Sequence, residues 1–169
     1  KTNNLFFPST GYTLSVQLED ANSIPYLFSK IFSTDFSRPL FFKSIINFTS
    51  YFPVYNSITE AFGIKFKVGN LLTYRGDKAD ISLNQRFYAG GSNSVRGWGI
   101  RELVPTNELL TLTDVRPEDL KAILAQGATT GGFFLMEGSI ETRNRLIGLL
   151  GSAFFIDYGN TWNAAKEFR

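Results

Sequence analysis

The residues best equipped for chemistry in this 169-residue chain lie in one glycine-rich stretch, Arg86 to Gly99 (RFYAGGSNSVRGWG), and in two segments downstream of it. The stretch joins Arg96 to Gly90, Gly91, Gly97 and Gly99 and to the aromatics Phe87, Tyr88 and Trp98. Downstream stand three carboxylates, Glu137, Glu141 and Asp157. Two carboxylates on neighbouring strands can serve as the acid and base of glycoside hydrolysis. A Gly-Gly-x-Asn-Ser run can cradle a phosphate, but no Lys-Ser/Thr follows to complete a P-loop. An arginine beside two carboxylates can instead make a structural grip, because its planar fork of five donors engages both at once. The bland reading of an Arg-Gly pair is a turn with a solvated arginine.

Composition narrows these choices. The chain contains no His and no Cys. The first absence removes the commonest general base and metal ligand, and the second removes disulfide frameworks and thiol chemistry. No catalytic residue, metal site or cofactor is expected, and the protein is read as a non-enzyme. A cysteine-free chain suits export. With 17 basic and 15 acidic side chains the net charge is only +2, too balanced for a nucleic-acid-binding surface. No stretch approaches the ~20 consecutive apolar residues of a membrane helix. The opening Lys1-Thr2-Asn3-Asn4 is polar and no signal peptide is visible, so the chain reads as a segment of a longer protein.

The elements that must position Arg96 and the carboxylates show alternation with a period of two, the signature of strands. In Gly11 to Asp20, Tyr12, Leu14, Val16 and Leu18 oppose Thr13, Ser15, Gln17 and Glu19. In Phe42 to Phe52, Phe42, Ile46, Phe48 and Phe52 oppose Lys43, Asn47, Thr49 and Tyr51, with Ile45 as an exception on the polar side. In Phe62 to Asn70, Phe62, Ile64, Phe66 and Val68 oppose Gly63, Lys65, Lys67 and Gly69. Phe134, Met136, Ile140 and Thr142 alternate with Glu137, Ser139, Glu141 and Arg143. Phe154, Ile156 and Tyr158 alternate with Ala153, Phe155, Asp157 and Gly159. Glu141 and Asp157 therefore fall on the polar faces of successive strands.

Five strands result, with long links at 20–41 and 71–132 and short ones at 53–61 and 144–149. Within the longest, Arg116 to Gln126 (RPEDLKAILAQ) reads as a short helix near 117–126, with Pro117 in its first turn and Gly127 as its stop. Alternation alone fits a soluble β-sandwich as well as a membrane barrel. Three features favour the barrel. The apolar faces are rich in Phe, which occurs 17 times. The polar faces carry charges in mid-strand, and a link as long as 71–132 is rare in compact domains. An apolar exterior around a watery interior accounts for all three, and the long-short rhythm turns the long links outward. The expected fold is all-β: about five strands of a larger transmembrane antiparallel barrel. Since open edges are not tolerated in lipid, its remaining strands must lie elsewhere.

The stretch Phe87, Gly90, Gly91, Ser94, Val95, Arg96, Gly97, Trp98 resembles the FxxGGxxSVRGF/W/Y signature of the BamA/TamA superfamily of outer-membrane β-barrel assembly and translocation proteins, the bacterial surface antigen barrel. Gly131-Gly132 followed by Glu137 to Arg143 is similar to its "GG…LEFR" strand. Phe154 to Trp162 (FFIDYGNTW) is similar to its "FFDAGNVW" strand. The resemblance covers most of the chain, more weakly before residue 60. It implies that residues 1–169 are a partial barrel domain, preceded by periplasmic domains and followed by closing strands. It also implies that the 71–132 loop folds into the lumen and that its arginine meets acidic groups on two later strands. With strand parity, this makes Arg96 the expected partner of Glu141 and Asp157, with Glu137 as an outer partner and Phe87, Tyr88 and Trp98 packing the loop tip.

The implied function is insertion or assembly of outer-membrane proteins, in the bacterial outer membrane. Expected partners are outer-membrane lipid, client β-barrel polypeptides and accessory lipoproteins, with no nucleic acid. The alternatives are a related translocation or secretion pore, a passive porin, and a soluble β-sandwich binding module.

Overall fold

A computed structural model describes residues 8–54, 59–103, 105, 131–147 and 150–168. Five strands form one sheet in the order β1 (Gly11–Ala21), β2 (Leu40–Pro53), β3 (Thr59–Arg75), β4 (Phe134–Ile147) and β5 (Leu150–Trp162). Each strand pairs antiparallel with the next, so the chain meanders without a crossover. The segmented sequence dictates this: every alternating stretch is followed by another, and hairpin links place successive strands side by side.

The register turns the sequence alternation into two unlike faces. Thr13, Thr49, Lys65, Ser139 and Asp157 stand in one row across the sheet, and Gly11, Tyr51, Gly63, Glu141 and Phe155 in the next. Directly opposed residues in an antiparallel pair point the same way, so these rows form one charged face. The other face carries Leu14, Phe48 and Phe66 in one row and Ile64, Ile140 and Ile156 in another. A soluble antiparallel sheet buries its apolar side. Here that side is bare: Leu14 is 60% exposed and Ile156 72%.

The buried core lies on the opposite side, under the long loop. Phe41, Leu71, Phe133 and Leu135 project from strands or their ends, and Ile81, Phe87, Ala89, Val95 and Leu103 descend on them from the loop. Ile45, the apolar exception on the polar face of β2, packs against this cluster. Its place follows from the loop's need for an apolar footing. Phe87 also requires Gly69 beneath it, since a Cβ there would come within 2.5 Å of the ring.

Two features differ from the sequence expectation. The strands run longer: β3 reaches Arg75 rather than Asn70, and β4 reaches Ile147. The 20–41 link is not irregular throughout, for Ser23–Ile31 form a helix, α1. Its apolar residues recur at helical spacing (Ile24, Leu27, Phe28, Ile31), a pattern too short to stand out beside strands of comparable hydrophobicity. The helix expected near 117–126 lies outside the described residues.

Candidate functional site: an arginine latch beneath a glycine-rich loop

The loop after β3 turns back and runs down the charged face. Its start is stitched to the top of β4 by reciprocal Phe87–Gly132 backbone hydrogen bonds, each 2.8 Å. Below, Lys43 Nζ donates to the Gln85 carbonyl at 2.8 Å and lies over the Phe87 ring. Two rows further down, Ser94 hydrogen-bonds both Glu137 and the Gly90 amide. Lys65 Nζ then donates to the Asn93 carbonyl at 2.6 Å. The footholds thus step from the Lys43–Leu71 row to the Gly63–Glu141 row. At ~3.3 Å per residue that is about 26 Å along β3.

Arg96 makes the deepest foothold. Its Nε donates to Asp157 Oδ2 at 2.7 Å and its Nη2 to Asp157 Oδ1 at 2.8 Å, a parallel bidentate pair. Nη1 reaches Glu141 Oε2 at 2.9 Å, and Nη2 also reaches Ser139 Oγ at 3.0 Å. The backbone amide of Arg96 adds a bond to Asp157 Oδ2 at 3.0 Å. The guanidinium carbon sits 3.4 Å from the Phe155 ring centroid. Two carboxylates and an aromatic ring thus engage the one guanidinium, by charge-assisted bonds and by a cation–π contact. The Asp157 side chain is only 4% exposed, whereas Arg96 keeps 27%, so water reaches the pair from the arginine side alone. The hydrogen bonds it donates to Asp157, ahead of that to Glu141, raise the guanidinium above its ordinary pKa against the opposing pull of burial.

The expected pairing of Arg96 with Glu141 and Asp157 is therefore what the geometry contains. Glu137 is not a partner of Arg96. It binds Lys67 at 3.0 Å and Ser94 instead. The guanidinium sits at the Ser139–Asp157 row and spends its remaining donor on Glu141, on the side away from Glu137. Lys67 stands directly across from Glu137 and takes it as a cross-strand pair.

The other motif residues divide by role. Val95 is buried in the loop core beside Phe87. Gly90 and Gly91 adopt φ near +100°, and a Cβ on Gly90 would meet the Gly99 carbonyl at 2.3 Å. Gly97 shows neither constraint, with open space where a Cβ would go. Trp98 leaves 51% of its surface exposed.

Three contributors were not singled out from the sequence, though parity places them all on the charged face. Phe155 supplies the ring under Arg96, and Ser139 a neutral acceptor. Arg143 donates to Glu141 Oε1 at 2.9 Å and stacks on Tyr51, so Glu141 bridges two arginines. A polar cavity of about 260 Å³ remains between loop and sheet, lined by Tyr51, Lys65, Asn93, Arg96, Glu141 and Arg143 among others. Among the described residues no group of acidic side chains is arranged to hold a metal ion.

An antiparallel wall with a bare apolar side, and a charged side onto which a glycine-rich loop is pinned, defines a class: strands of the kind that face lipid on one side and a polar interior on the other. The chain matches the Omp85 superfamily domain over residues 1–169 and belongs to that superfamily. No curated protein matches it. Omp85 proteins are outer-membrane proteins that serve, in general, the assembly or translocation of proteins.

Proposed function

We propose that this chain is barrel wall from an outer-membrane insertion factor of the BamA/TamA kind, and that Arg86 to Gly99 forms a latch held inside the lumen. The protein acts without covalent catalysis. The observation that carries this reading is the grip of Arg96 on carboxylates from two adjacent strands, Asp157 and Glu141. A loop bonded row by row to the charged face braces the wall from within and occupies space that a passive porin leaves open. Further strands extend the sheet beyond β1 and β5, because unpaired strand edges are not sustained in lipid. Lipid covers the bare apolar face. Clients are β-barrel polypeptides, engaged by strand addition at a seam of the completed barrel, with accessory lipoproteins assisting.

The test uses the full-length protein in proteoliposomes. Folding of a small client barrel protein is timed with the wild type and with Arg96→Ala, and conductance is recorded in parallel. Faster client folding with the wild type, lost in Arg96→Ala, is the expected result. Steady conductance with no effect on any client would overturn the reading in favour of a porin. Transfer of a soluble client into the vesicle interior would point to a translocation pore.

A further inference from the structure

We propose that α1 is a membrane-surface helix: it lies against the bilayer interface beside the barrel wall and inserts its apolar stripe into lipid. This rests on the lipid-facing assignment of the bare sheet face.

The helix is amphipathic in the inverted sense. Around its axis Ile24, Leu27, Phe28, Ile31 and the following Phe32 share one side, and each is 56–71% exposed. The opposite side holds Ser29, which is buried, and Tyr26. A helix packed on a soluble domain turns these sides the other way.

The outward aim is fixed by contacts. Tyr26 is sandwiched, with the Arg75 guanidinium 4.2 Å from its ring centroid and Phe36 against it at 6.0 Å. Asn22, just before the helix, donates to the Pro39 carbonyl at 2.8 Å. Ser23, its first residue, hydrogen-bonds the Tyr74 hydroxyl, which donates to Asp20 at 2.7 Å. Strand parity puts Asp20 and Tyr74 on the same face as Leu18 and Leu72, the bare apolar one. The helix is thus tethered at the rim of the wall, by Ser23 to the bare side and by Tyr26 to Arg75, which parity sets on the charged side. Ser23, bonded to Tyr74, starts the stripe at the edge of the apolar band formed by Leu18, Leu72 and Tyr74, which are 55–66% exposed. That continuity selects lipid as the occupant. Aromatic and aliphatic side chains on one side and Lys30 on another suit the boundary between headgroups and acyl chains.

The experiment places a bimane label on single cysteines in the full-length protein, cleared of any other cysteine and reconstituted in phosphatidylcholine vesicles. Phe28→Cys and Ile31→Cys probe the stripe, Lys30→Cys the other side, and Val16→Cys the wall. Spin-labelled lipids carrying the nitroxide near the headgroup should quench the two stripe labels several-fold more than Lys30→Cys, and mid-chain nitroxide should quench Val16→Cys. A quenched wall with an unquenched, iodide-accessible stripe overturns the helix proposal alone. A stripe shielded from both lipid nitroxide and iodide overturns it in favour of a protein cover. An unquenched wall overturns the barrel reading beneath it.

Discussion

Arg96 and Asp157 meet through three hydrogen bonds, two from the guanidinium edge at 2.7 and 2.8 Å and one from the Arg96 backbone amide at 3.0 Å. The same carboxylate therefore fixes both the side chain and the main chain of the loop tip. Glu141 takes a single bond from Arg96 and keeps a second arginine, Arg143. The two acids are unequal, although both are ionic partners of the same arginine.

That inequality predicts an order of effects. Asp157→Asn should destabilise the loop more than Glu141→Gln. A charge-assisted bond contributes ~1.5–3 kcal/mol where water is restricted. The lower end applies here, because partial exposure of Arg96 admits solvent screening. Arg96→Lys should rescue only part of the loss seen in Arg96→Ala, since an ammonium cannot make the parallel pair or lie flat on Phe155. Protease nicking after Arg101, which is exposed, measures loop release in each variant. Equal nicking of Asp157→Asn and Glu141→Gln would contradict the assignment of Asp157 as principal anchor.

The motif glycines should separate as cleanly. Gly90→Ala must move the Gly99 backbone as well as hold an L residue at φ +101°, and such strain costs on the order of 1–3 kcal/mol. Gly97→Ala meets nothing and should leave stability unchanged. Thermal loss of the folded band on cold electrophoresis compares the two. A Gly97→Ala defect as large as that of Gly90→Ala would mean that the tip is packed more tightly than its geometry indicates.

These sites show what the sequence made legible. Alternation alone placed Glu141, Asp157, Ser139, Arg143 and Phe155 on one face, because a strand offers its side chains only two directions. The motif supplied Arg96 as the group that meets them. Rank among the carboxylates was not legible, since it depends on the register that sets Glu137 opposite Lys67, one row from Asp157 and two from Glu141. The buried core was hidden for a related reason. Phe41, Leu71 and Leu135 look like members of an apolar wall, and only the returning loop turns them into an interior. Helix α1 escaped notice because its apolar residues recur over only Ser23–Ile31, too short a run to stand out beside strands of comparable hydrophobicity.

The wall itself can be challenged at Ile64, which shares its row with Ile140 and Ile156. Ile64→Arg should cost ~2–4 kcal/mol near the bilayer midplane, and less toward the interface. Thr13→Arg, on the charged face, should cost far less. Urea titration of folding into vesicles reads both. A neutral Ile64→Arg would argue that the bare face is covered by protein rather than lipid.

The most discriminating test of the latch compares two loop positions. Ile100 is 81% exposed, whereas Ser94 is tied to Glu137 and to the Gly90 amide beneath the loop. In the full-length protein with other cysteines removed, Ile100→Cys should react rapidly with a membrane-impermeant maleimide and Ser94→Cys slowly. The contrast alone would follow from any buried loop. The latch adds a conditional: Arg96 holds Asp157 and Glu141, one and two rows below the Glu137 contact of Ser94, so releasing it should free the tip while the Phe87–Gly132 stitching above keeps the loop's base in place. Ser94→Cys should therefore gain reactivity in the Arg96→Ala background and regain part of its protection with Arg96→Lys. Reactivity at Ile100→Cys should stay constant throughout. If Ser94→Cys labels at the same slow rate with and without the arginine, the apolar packing of Phe87 and Val95 is sufficient to hold the loop, and Arg96 is not its latch.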